Sequence, residues 1–178
     1  MTAMRAAFPV LIFVGAAASA QTRHDSTAPI DFGADRIELQ DKANRAVLSG
    51  GVAVKQGEMT LNAARMTVSY TGQVIGGNPQ VSRLDASGGV LVKRPDQTAR
   101  SQYAVYDLNR RVITMLGGVS LDQGGNTVNG GRLTINLDSG RAVIDGSGVP
   151  GGGLGAAGDV TTTPSGRVTG TFSVPKRN

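Results

Sequence analysis

The sequence predicts an all-β chain built from repeated short strands, and three observations carry that prediction. The stretch Leu48–Tyr70 recurs without a gap as Met115–Leu137, at a constant offset of 67 residues from Gly50 to Gly117. Gly50/Gly117, Gly51/Gly118, Val52/Val119, Gln56/Gln123, Gly57/Gly124, Thr60/Thr127, Asn62/Asn129, Arg65/Arg132 and Thr67/Thr134 are identical. A third copy, Gly88–Lys93, lies between them, and Arg141–Val149 echoes Arg45–Val52 with one residue inserted. Self-similarity of this kind marks stacked supersecondary units. Within each unit, apolar and polar residues alternate with the two-residue period of a half-buried strand rather than the 3.6-residue period of a helix. Finally, the 26 glycines, about twice the usual share, call for many tight turns. With aromatics at 4% and no tryptophan, the core must come from Val, Leu, Ile and Met.

Met1–Ala20 reads as a secretory signal: Arg5 gives the positive start, Phe8–Ala18 the apolar run, and Ala18-Ser19-Ala20 the small-residue cleavage site. The run is too short to span a bilayer, which takes about 20 residues, and Pro9 interrupts it. Cleavage after Ala20 predicts a soluble, exported mature chain. Residues 21–29 form a polar, flexible leader that holds the one histidine, His24. Ile37 and Leu39 then alternate with Arg36 and Glu38 as a strand, followed by a turn at Asp41–Asn44. The Gly50-Gly51 pair, between Arg45–Ser49 and Val52–Lys55, signals a hairpin or a sharp corner. Gln56-Gly57-Glu58 turns the chain into Met59–Asn62, and Met66, Val68 and Tyr70 share one face of the run that follows. Residues 71–79 are a loop, Val81–Ala86 and Val90–Lys93 the next strand pair, and Tyr103 and Val105 carry the pattern onward. In the second full copy Ile113, Met115, Val119, Leu121, Val128, Leu133, Ile135 and Leu137 point inward, and Ala142 and Ile144 close the series. From Gly146 the composition changes. Residues 150–178 are a glycine-rich linker and a basic tail, which reads as disordered in preference to a last edge strand. The body, 30–149, is thus a single domain.

Composition also narrows function. The absence of cysteine removes thiolate chemistry and disulfides, and a lone histidine in the leader removes any Ser-His-Asp set. Asp35, Glu38, Asp41, Glu58, Asp85, Asp122 and Asp138 fall in turns or on polar faces; a hydrolytic carboxylate pair would depend on their spatial separation. Gly153, Gly155 and Gly158 match a dinucleotide fingerprint, but Thr161–Pro164 follows where a helix is needed, so the match is chance. The net charge of +5 is spread along the strands, and few aromatics are available to stack bases, so no nucleic-acid partner is expected. No catalytic residue, metal or cofactor is expected. Two-faced strands stacked in sequence would enclose an apolar interior. Medium-sized aliphatics with Ala46, Ala53 and glycine between them favour a groove open to an apolar ligand.

The repeat Ala46–Gly57 with Leu61–Val68, behind a signal and preceded by Ile30–Leu39, resembles the LptA/OstA family of lipopolysaccharide-export proteins over about Ile30–Val149. The resemblance implies an antiparallel β-jellyroll open along one side, acting as a periplasmic lipopolysaccharide carrier. Its partners would be fold-sharing components of the inner- and outer-membrane export machinery, met head to tail through edge strands, with self-association by the same route. Arg36–Leu39 and Arg132–Asp145 are the candidate docking edges. The loop at 71–79 and the linker and tail depart from the simplest family pattern. The expected acyl-groove residues are Ile37, Leu39, Leu48, Val52, Val54, Leu61, Met66, Val68, Val90, Val92, Tyr103, Val105, Ile113, Met115, Val119, Leu121, Leu133 and Ile135. A structural or adhesive β-solenoid with a filled interior and no lipid ligand is the alternative.

Overall fold

A computed structural model describes residues 25–72, 77–146 and 167–171. The expected signal and its cleavage site, residues 21–24 of the leader, 73–76 of the loop, 147–149 at the end of the body, and 150–166 and 172–178 of the linker and tail lie outside the described residues. The described chain is one antiparallel sheet of 10 strands. These are β1 (Ile30–Gly33), β2 (Arg36–Gln40), β3 (Arg45–Gln56), β4 (Met59–Thr71), β5 (Gln80–Arg94), β6 (Gln97–Asp107), β7 (Val112–Gln123), β8 (Asn126–Asn136), β9 (Ala142–Asp145) and β10 (Thr169–Thr171). The six long strands, β3 to β8, pair in sequence order. At one edge β1 and β2 share the flank of β3; at the other β9 and β10 share the flank of β8. The first and last strands do not pair with each other, so the sheet is open.

The Gly-Gly pairs lie in mid-strand, which overturns the hairpin reading in favour of the corner. Gly50-Gly51 faces the single residue Ala64 of β4, Gly88-Gly89 faces Gln102 of β6, and Gly117-Gly118 faces Gly131 of β8. All six paired glycines have positive φ, from 51° to 83°, which side-chain-bearing residues rarely adopt. An extra residue opposite one bends and twists a strand. Because the bulges fall in register, the bends form one crease across the sheet. The edges follow it: β1 gives way to β2 at Ala34-Asp35, where the Asp35 amide donates to the Gly50 carbonyl at 2.9 Å. β9 and β10 meet β8 on either side of Gly130-Gly131.

A lone sheet buries one face only by folding on itself or finding a cover. Here the crease brings its two halves face to face. Leu48, Met66, Ile113, Met115, Leu133 and Ile135 in one half, and Val52, Met59, Leu61, Val90 and Val92 in the other, are buried together in one aliphatic core. The strand tips opposite the crease form a mouth. There the Tyr106 hydroxyl, on one half, donates to Gln56 Oε1, on the other, at 2.7 Å. Residues 25–29 run across the same mouth: Gln56 Nε2 donates to the carbonyls of Ser26 and Ala28, both at 3.1 Å, and Ser26 Oγ to Asp138 at 3.3 Å.

Two expectations need correction. Tyr103 and Val105 face outward, and Ala104 and Tyr106 are the buried residues of that run. The strand crosses the crease on the single residue Gln102, so its inward positions change from odd numbers to even. The tail, read as disordered, contributes β10, which pairs Thr169–Thr171 with Thr127–Asn129.

Candidate apolar trough

The interior is the candidate site, and its construction follows from strand parity. In β3, Ala46, Leu48, Val52, Val54 and Gln56 share the inward face; in β7, Ile113, Met115, Val119 and Leu121 do. Strands with a Gly-Gly pair keep their parity across the crease. Strands that cross on one residue change it, as from Leu61 to Met66 in β4. All expected lining residues other than Ile37, Leu39, Tyr103 and Val105 are buried in this interior. Tyr103, 51% exposed, instead lines a shallow outer depression with Arg65, Thr67, Asp85 and Val105.

Ile37 and Leu39 are a different case. They pair with Leu48 and Ala46, so they belong to the inward face, yet they are 46% and 58% exposed. Phe32, opposite Val54 on β1, is 48% exposed for the same reason. At the β1/β2 edge the inward face is therefore an apolar end that no further strand of the sheet covers. The β9/β10 edge is narrow. Ile144 of β9 lies against Gly130 of β8, on the other side of the crease, so closely that a Cβ at Gly130 would overlap its side chain and approach the Asp145 carbonyl to 2.9 Å. The trough is open at one end and pinched at the other.

Polar groups at the mouth were not foreseen. Gln56, Arg94 and Gln97 are buried there, and burial pushes the Tyr106 phenol up to about 12. The one local sign of this row in the sequence is the turn-forming Pro95-Asp96 that follows Arg94. The outer face carries exposed ion pairs, Arg83 with Asp85 at 2.6 Å and Arg100 with Asp122 at 2.7 Å, and Arg111 pairs with Asp138 at 3.2 Å beside the mouth. A hydrogen bond from Thr127, with Arg100 beside it, holds the Asp122 carboxyl below its usual range. Such exposed pairs contribute about 0–1 kcal/mol each. Among the described residues there is no cluster of His, Cys, Asp or Glu suited to a metal ion, and no helix long and apolar enough to cross a membrane.

A creased antiparallel sheet with an aliphatic interior and one uncovered end defines an open β-jellyroll. The family described as LptA/(LptD N-terminal domain) LPS transport protein matches residues 32–141, and the chain belongs to that family. An uncharacterised protein of Rhizobium meliloti (strain 1021) is 33% identical over 124 residues, 67% of each chain. Among solved structures, LptH of Pseudomonas aeruginosa, the LptA homologous periplasmic component of the conserved lipopolysaccharide transport device, superposes with a TM-score of 0.65. That match is 22% identical and covers 85% of this chain and 99% of LptH, a likeness of fold.

Proposed function

We propose that the mature chain is a periplasmic lipopolysaccharide carrier that shelters acyl chains in the creased sheet and joins like-folded neighbours head to tail. The observation that carries this reading is the uncovered apolar end: Phe32, Ile37 and Leu39 continue the inward face into solvent. Burying methylene groups contributes about 0.8 kcal/mol each, so even a partly sheltered chain gains several kcal/mol. Exposed ion pairs cannot supply as much. The unpaired backbone of β1 and β2 offers hydrogen bonds to an incoming strand. At the far edge the candidate docking strand is β9 rather than Arg132–Asn136, which β9 already covers on that flank. Inner-membrane and outer-membrane export components with the same fold are the expected neighbours. No step of this function needs a catalytic group or a cofactor.

In the closed form the protein's own side chains fill the interior, so acyl chains enter only if the halves part about the crease. The filled interior also favours the second reading, a structural β-element without lipid. Photo-crosslinking from Val54 and Ile135 to lipopolysaccharide separates the two. Crosslinks at inward positions, with none at the outward Thr134, support the carrier; a folded protein that crosslinks at no inward position overturns it.

A further inference from the structure

We propose that Arg94 and Gln97 form a subsite for a hydroxyl group borne on an otherwise apolar chain, that is, for a hydroxylated fatty acyl chain. The inference rests on the carrier reading and specifies what the trough recognises.

Arg94 and Gln97 are the pair that closes the β5–β6 hairpin. Both take inward positions, in phase with Val90 and Val92 on one strand and Ala99 and Ser101 on the other, and they are 9% and 6% exposed. Arg94 Nη1 and Gln97 Oε1 are sealed from solvent, and neither has a hydrogen-bond partner among the described residues. None of the ion pairs formed by the described residues involves Arg94. The other buried polar side chains are engaged: Gln56 with Tyr106, Ser26 and Ala28, and Ser101 with the Tyr103 carbonyl at 2.8 Å.

Leaving a buried donor or acceptor unmet costs about 1–3 kcal/mol, and an apolar pair at these positions would avoid that cost. The two unmet atoms are complementary, one a donor and one an acceptor. A hydroxyl both accepts and donates, the two roles that Nη1 and Oε1 leave open. An ionised phosphate or carboxylate answers Arg94 but sets an acceptor against Gln97 Oε1. A plain alkyl chain answers neither. Val92 and Ala99, deeper along the same strands, and Met59 on the neighbouring strand are apolar and buried, so the chain carrying the hydroxyl has an aliphatic bed beside the subsite.

The test measures displacement of N-phenyl-1-naphthylamine from the mature protein by methyl 3-hydroxytetradecanoate and by methyl tetradecanoate. The hydroxylated ester is expected to displace the dye about tenfold more tightly, and this preference to vanish in the double variant Arg94→Met/Gln97→Leu. Equal displacement by both esters overturns the subsite and leaves the carrier reading standing. Dye binding that neither ester displaces overturns both. Tighter displacement by tetradecyl phosphate than by the hydroxy ester overturns the subsite in favour of an anion site. Thermal unfolding supplies an independent check. The double variant should melt at the wild-type temperature or above it, because it removes two unmet groups; a fall of several degrees shows an internal partner and overturns the subsite.

Discussion

Tyr106 is the residue on which closure of the mouth turns. Its hydroxyl is the hydrogen-bond donor that joins β6 on one half of the sheet to Gln56 on the other. Burial raises its phenol from 10.0 to about 12. Between those values the unfolded chain releases a proton that the folded chain retains, so the stability contributed below the unfolded value is lost as pH rises toward the folded one. The loss reaches roughly 3 kcal/mol. Tyr106→Phe should lower stability by about 1–2 kcal/mol at neutral pH, because the buried hydrogen bond from Tyr106 to Gln56 Oε1 is lost. It should also abolish this part of the alkaline loss, as read from urea unfolding of both proteins at about pH 8 and about pH 11. Equal alkaline slopes would show that Tyr106 is not held neutral by the fold. The crease offers a second test. Gly88→Ala places a Cβ 2.8 Å from that of Ala64 at a φ of 83°. It should cost about 1–3 kcal/mol, whereas Gly89→Ala, with nothing within 4 Å, meets only the backbone strain.

Among the elements, the two edges differ, and the difference predicts different mutational outcomes. On β2, Leu39 is exposed and continues the inward face, so Leu39→Arg should leave the monomer's stability within about 0.5 kcal/mol. It should nevertheless weaken concentration-dependent self-association measured by light scattering. Unchanged association would remove β2 as a docking edge. On β8, Gly130→Ala forces Ile144 and β9 away from the pinch, since the new methyl competes for the space Ile144 occupies. Amide exchange in Ala142–Asp145 should accelerate while that in β4 and β5 stays slow. The strand alternation and the repeated Gly-Gly units were legible in the residues themselves, because both are local properties of the chain. Tyr103 and Val105 were misread for a physical reason. A strand that crosses a crease on one residue changes which parity faces inward, and nothing in the run Gln97–Asp107 announces the crossing. The same parity change between Leu61 and Met66, where the repeat aligns β4 with β8, was the available signal.

At the scale of the molecule, the sheet behaves as two leaves joined along a crease, with one described side-chain hydrogen bond, Tyr106 to Gln56, and the 25–29 segment spanning the mouth. If acyl chains enter by parting the leaves, tethering them should exclude lipid. The protein has no cysteine, so Gln56→Cys with Tyr106→Cys can be bridged selectively by a short bis-maleimide. The bridged protein should lose lipopolysaccharide crosslinking at Val54, and the unbridged double variant should keep it. Crosslinking that survives the bridge would place lipid outside the trough.

The sequence by itself determined the strands, their two faces, the repeat and the aliphatic character of the interior, since each depends only on which residues neighbour one another along the chain. Only the tertiary structure decided that the Gly-Gly pairs crease one continuous sheet, that Phe32, Ile37 and Leu39 are left uncovered while Ile144 closes on Gly130, and that Arg94 and Gln97 are buried together. Those features arise where strands distant in sequence meet, or where a sheet runs out of neighbours, and a one-dimensional pattern carries no record of either.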